Sequence, residues 1–172
     1  THASRKGPMI VCIDTSASMY GMPQRITTSL LSLLKQTAET LRRDCYLIDF
    51  SVSIRAIDLV DFNVSSGLGK QKADAPFIGG GTSAHKLLEC MFDLLDGKHQ
   101  TNYINADVLW ITDFLIPEPT DYEVMKLRDY RKTGTKFYGL RILSADDKQK
   151  NTEWQSYFDR IYNIRYREVK RY

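Results

Sequence analysis

Three short segments of this chain carry oxygen donors in a pattern that could do chemistry: Asp14-Thr15-Ser16-Ala17-Ser18, Thr82 behind Gly79-Gly80-Gly81, and Asp113. In the first, a carboxylate is followed at alternate positions by two hydroxyls. Short oxygen-bearing side chains spaced this way in a tight loop can converge on a small hard cation. Thr82 adds a third hydroxyl and Asp113 a second carboxylate, with no His or Cys in the set. All-oxygen donors suit Mg²⁺ or Mn²⁺, whereas zinc favours nitrogen and sulfur. An ion held largely through neutral hydroxyls and water keeps much of its charge and attracts an incoming carboxylate. The set is better suited to holding an ion than to attacking a substrate.

Catalytic readings of the same residues are weaker. Ser16 as a nucleophile would need a base, and His85, the best placed of the three histidines, falls in the first turn of a helix. A phosphatase with Asp14 as nucleophile would carry a second Asp at position 16, where this chain has Ser. Gly79-Gly80-Gly81-Thr82-Ser83 has no Lys before Thr82, as a phosphate-cradling P-loop requires, and Gly67-x-Gly69 lacks a third glycine. The expectation is therefore not an enzyme. The alternatives are a Mg²⁺-dependent hydrolase on the same sheet, or a metal-free scaffold whose loop hydroxyls bond only to backbone. Tyr20, Met22, His85 and Phe114 flank the segments and are candidates for a partner-binding rim or for ordinary loop packing.

The elements that must position these groups alternate strand and helix. Pro8–Ile13 is apolar without alternation, as in a parallel strand covered on both faces. Pro23 suits the first turn of a helix running to about Arg43, with Ile26, Leu30, Leu33, Leu34, Ala38 and Leu41 as its apolar face. Cys45–Phe50 is a second strand. Ser53–Leu59 follows too closely for a crossover and must pair antiparallel. Residues 61–78 read as a polar loop. A helix with Ala84, Leu87, Leu88, Met91, Phe92 and Leu95 inside stops at Gly97. Val108–Thr112 is a strand ending at Asp113, and Thr120-Asp121-Tyr122-Glu123 is a capping box opening a helix that Gly134 ends. Lys136–Leu143 is a strand, residues 152–159 a last helix, and Arg160–Tyr166 a last strand.

This alternation predicts an α/β fold: a doubly wound, mainly parallel six-stranded sheet with helices on both faces. The common order 3-2-1-4-5-6 places strands one and four side by side. Asp14 and Asp113, far apart in sequence, then emerge from adjacent strands at the edge where such sheets bind ligands.

Composition excludes more than it assigns. The chain has 172 residues, 42% hydrophobic and 26% charged, which fits one domain able to bury roughly 70% of its unfolded surface. A net charge of +3 is too small to argue for nucleic acid, and the basic run Arg165–Tyr172 reads as a strand end or solvated tail. No apolar stretch approaches the ~20 residues needed to span a bilayer. Cys12, Cys45 and Cys90 lack metal-site spacing and read as buried reduced thiols, which favours the cytoplasm.

Asp14-x-Ser16-x-Ser18, the distant Thr82 and the later Asp113 resemble the metal-ion-dependent adhesion site (MIDAS) of von Willebrand factor A (VWA) domains, and the likeness covers nearly the whole chain as a single domain, 1–172. It implies a Rossmann-like sheet of the order given above, with an antiparallel edge strand at Ser53–Leu59. It further implies that Ser16, Ser18 and Thr82 touch the ion, that Asp14 and Asp113 act directly or through water, and that a partner's Glu or Asp completes the shell. More narrowly, Gly7-Pro8, Cys45–Ser51 and Ala106–Phe114 resemble the bacterial ViaA-type branch. That branch implies a C-terminal position in a longer helical chain and a MoxR-type AAA+ ATPase as partner. Ala17 stands where the family often has Gly, which is tolerable if its backbone angles are ordinary.

Overall fold

The computed structural model describes residues 7–50, 55–58, 84–98, 103–149 and 151–167. The predicted loop over 61–78, the Gly79–Ser83 segment with Thr82, and the end of the basic run beyond Arg167 lie outside the described residues.

Among the described residues six strands form one sheet: β1 (Met9–Asp14), β2 (Cys45–Phe50), β3 (Arg55–Asp58), β4 (Asp107–Thr112), β5 (Phe137–Ser144) and β6 (Arg160–Tyr166), in the order β3-β2-β1-β4-β5-β6. All neighbours pair parallel except β2 and β3, which are antiparallel as their short connection demands. β1 lies between β2 and β4, and pairs Ile13 with Asp49 on one side and Ile111 on the other. Asp14 and Asp113 therefore leave neighbouring strands at one edge, as the sequence predicts.

Three helices cover the sheet: α1 (Met22–Thr40), α2 (Ala84–Leu95) and α3 (Asp121–Lys132). On one face Val11, Ile13, Leu47, Ile111 and Ile142 pack with Leu31 and Ala38 of α1. On the other, Ile10, Cys12, Ile48, Phe50, Val108, Trp110 and Phe137 pack against Leu87, Leu88 and Met91 of α2, Leu127 of α3, and Trp154 and Phe158. Side chains on both faces of β1 are thus buried, which is why its sequence shows no polar alternation. Each large apolar side chain so covered contributes roughly 1.5–3 kcal/mol relative to exposure.

Local boundaries follow their caps. Thr120 and Glu123 form the predicted capping box at α3, and Gly134 takes φ 111° past its end. Gly97, at φ 72°, closes α2. α1 corrects the predicted face in part: Ala38 is buried and Ile26, Leu30 and Leu34 pack against the core as predicted, Pro23, Thr27 and Leu31 are buried as well, and Leu33 and Leu41 stand in solvent. The helix stops at Thr40, with Arg42 in the left-handed region at φ 51°. The expected last helix is only a 3-10 turn, Glu153–Tyr157, anchored by Trp154 in the core and capped by the Thr152 hydroxyl. All three cysteines are free thiols, with Cys12 and Cys45 buried and Cys90 half-buried.

Candidate metal centre

The first loop is held by its own carboxylate. Asp14, almost fully buried, accepts the Ser16 backbone N–H on Oδ1 (2.9 Å) and the Thr112 hydroxyl on Oδ2 (2.6 Å). The first bond is an Asx turn that folds the chain back as soon as β1 ends. The second ties the loop to the last residue of β4. Thr15 completes the anchoring by donating its hydroxyl to Asp49 of β2 at 2.6 Å. Residues Ala17–Met19 then make one 3-10 turn. Ala17 is not among the positive-φ residues, so the side chain in place of a glycine is accommodated without strain.

These constraints bring the hydroxyls of Ser16 and Ser18 to 3.0 Å from one another, with Ser16 buried and Ser18 exposed. Adjacent ligands of an octahedral ion with metal–oxygen bonds of about 2.1 Å are themselves about 3.0 Å apart. The pair is therefore spaced for a Mg²⁺-sized ion, and a cation would replace the hydroxyl–hydroxyl hydrogen bond that now joins them. Both Asp14 oxygens already accept hydrogen bonds, so this carboxylate fits a role through intervening water. Among the described residues no cluster of three or more His, Cys, Asp and Glu side chains could hold a metal, so a cation here would rely on hydroxyls.

Asp113 is buried at the end of β4 and accepts the Leu115 N–H on Oδ1 at 3.0 Å. Phe114 next to it has φ 59°, a left-handed conformation that is uncommon for a bulky residue. The turn is fixed twice more: the Phe114 N–H donates to the Thr112 hydroxyl (3.0 Å), and the Phe114 ring packs against Trp110 and Phe158. Backbone strain of this kind persists where surrounding structure over-determines it. Burial pushes the Asp14 carboxyl above its ordinary range; hydrogen bonds from Ser16 and Thr112 oppose this, and the Asp113 charge adds a smaller upward push. Two buried carboxylates close enough for one to raise the other would be relieved by a cation between them.

Asp14, Ser16, Ser18 and Asp113 are brought to one edge; Thr82 lies outside the described residues. The rim residues divide. Tyr20 is 48% exposed beyond the 3-10 turn, and Met22 is half-buried at the start of α1. His85 is exposed on the first turn of α2, with Nδ1 bound to Glu123 of α3 at 2.9 Å. Phe114 is a correction: only 5% of it is exposed, because its left-handed backbone turns the ring into the core rather than towards a partner. Sequence reasoning passed over Thr15 within the loop, and Thr112 and Asp49, which position it from neighbouring strands. The signal available for Asp49 was one acid inside the apolar run Cys45–Phe50.

No protein-family profile matches the chain. Among solved structures it is similar to the SpRpn10 VWA domain (TM-score 0.60, 14% identity, covering 93% of this chain and 88% of that one). It is also similar to BatB from Bacteroides thetaiotaomicron (0.59, 12%, 95% and 91%). A third likeness is to proximal thread matrix protein 1 from the mussel byssus, solved with a zinc-occupied MIDAS motif (0.60, 12%); there this chain covers 93% of its own length but spans only 44% of the other. At such identities the likeness speaks to architecture, and with the strand order and helix placement above it establishes that this chain has the von Willebrand factor A fold.

Proposed function

We propose that this chain is a metal-dependent protein-binding module. A single Mg²⁺ or Mn²⁺ would be held by the hydroxyls of Ser16, Ser18 and Thr82, with Asp14 and Asp113 acting directly or through water. When bound, the ion supplies an electrophilic position for a partner's Asp or Glu. The chain's own part is to hold the loops: Asp14 folds the first, Thr112 locks it to β4, and Phe114 fixes the turn that carries Asp113. Tyr20, Met22 and His85 would contribute contacts around the ion, where shape and charge set specificity. The observation that carries this reading is the 3.0 Å spacing of the Ser16 and Ser18 hydroxyls beside two buried carboxylates.

The resemblance to ViaA-type proteins supports a MoxR-type AAA+ ATPase, or its substrate, as the acidic partner. The free thiols fit a reducing compartment, and the proposal places the module in the cytoplasm. Among the described helices none is long and apolar enough to cross a membrane.

Calorimetry with Mg²⁺ and Mn²⁺ tests the site. One site is expected, lost in Asp14→Ala and Asp113→Ala. Metal at a hundred times its dissociation constant should stabilise the wild type by about 2.7 kcal/mol, a rise of roughly 5–10 °C for a domain of this size. Identical melting in EDTA and Mg²⁺ would refute the metal site. Phosphate-ester turnover that disappears in Asp14→Asn would instead support a hydrolase.

A further inference from the structure

Arg141 is the residue of β5 that packing does not explain. It shares the sheet face of Phe137 and Gly139, is 2% exposed, and forms no ion pair among the described residues. Among the described residues its Nη1 and Nη2 reach only the backbone and side-chain oxygens of Gln149, both at 3.5 Å, and its Nε has no hydrogen-bond partner. A buried guanidinium so poorly matched is costly, and an apolar side chain of similar length would avoid the cost. Such an orphan calls for a reason.

The register supplies one. Arg141 is paired with Thr112, the residue that holds Asp14 and directly precedes Asp113. After burial itself, the influences on Arg141 are the charges of Asp147, Arg165 and Asp113. A fixed cation therefore sits one strand over from Thr112, near enough for the Asp113 charge to act on it.

We infer that Arg141 sets the charge of that centre, so that the loaded site stays net positive and receptive to a carboxylate. Asp14 and Asp113 together bring two negative charges. A divalent ion alone would cancel them and leave a neutral site. Asp147 and Arg165, which also act on Arg141, carry opposite charges and offset one another, so with Arg141 present the same ion leaves one positive charge for the partner's acid to neutralise. Weaker hold on the metal is thus exchanged for stronger hold on the acidic ligand. This inference rests on the metal-binding reading above.

The test compares wild type, Arg141→Met and Arg141→Lys, using Mn²⁺ alone as the first probe and acetate added to Mn²⁺-saturated protein as the second. Mn²⁺ affinity is read by calorimetry and acetate by its effect on the paramagnetic relaxation of water at the bound ion. Arg141→Met should bind Mn²⁺ about tenfold more tightly and acetate about tenfold more weakly, the order expected when one nearby charge is removed. Arg141→Lys should stay within roughly threefold of wild type on both, because the charge remains. A purely structural Arg141 would weaken both affinities, so opposite directions are the distinguishing result. Unchanged or weaker Mn²⁺ binding by folded Arg141→Met overturns the inference. If that variant does not fold, Arg141→Gln, which keeps polar contact with Gln149, takes its place. Failure of both charge-free variants to fold while Arg141→Lys folds would make Arg141 a structural charge and also overturn it. A wild type that binds no Mn²⁺ at all refutes the metal centre itself.

Discussion

Replacing Gly139 with alanine should disturb the candidate metal centre from the strand next door. A methyl group at Gly139 would meet the Phe114 ring at 2.7 Å (Cζ) and 3.1 Å (Cε2), and Ile161 Cγ1 at 3.1 Å. Carbon atoms pack best at about 3.5–4.0 Å, so the ring must retreat by nearly an ångström. It has little room, because Trp110 and Phe158 lie against it with ring centres 6.2 and 5.6 Å away. Movement would pass to the Phe114 backbone, whose N–H is bonded to Thr112 and whose preceding residue is Asp113. Overpacking of this kind costs about 1–3 kcal/mol, or roughly 2–12 °C in melting temperature at this chain length. Thermal denaturation followed by circular dichroism reads the first effect, and Mn²⁺ calorimetry the second, where affinity should fall. Gly139→Ala combined with Phe114→Leu should recover part of the loss, since leucine lacks the distal ring atoms. A melting point within about 1 °C of wild type, or strictly additive single and double variants, would refute the steric account.

Two further outcomes follow from the hydrogen bonds and charges described. Burial holds the Asp14 carboxyl above its ordinary range, so its stabilising contribution is complete in acid and is lost as pH rises through the raised value. Asp14→Asn should therefore melt higher than wild type in EDTA near neutrality, with the difference shrinking as pH falls towards about 4; a pH-independent difference would contradict this. Thr120→Ala removes the hydroxyl that accepts the Glu123 N–H at 3.2 Å and should cost about 1 kcal/mol in denaturant titration. Because the Thr120 hydroxyl bonds to Glu123 and to no candidate ligand, Mn²⁺ affinity should not change.

Strands, helix order and the convergence of Asp14 with Asp113 were legible because each rests on a local signal: unbroken apolar runs, a capping box, glycines after helices. The face of α1 was not. Leu33 and Leu41 fit the helical period as well as Leu31 does, and only the position of the helix over Val11, Leu47 and Ile111 decides which of them is covered. Phe114 was left open between rim and loop packing for a related reason. An aromatic beside a ligand-bearing Asp reads equally as a rim or as a wedge, and the difference lies in a single dihedral and in the space left by Gly139. Thr112 was hidden by its own strand, where a threonine is an ordinary β residue; its hydroxyl matters only because β1 lies alongside.

Among the described residues the sheet ends at β6, which bonds to β5 along one side only. Seven residues of continuous extended backbone without proline form a template on which another chain could assemble. The exposed arginines at 160, 165 and 167 counter that hazard, since two copies docked through this margin would bring like charges together. Electrostatic repulsion along the β6 margin therefore opposes edge-to-edge pairing of two copies.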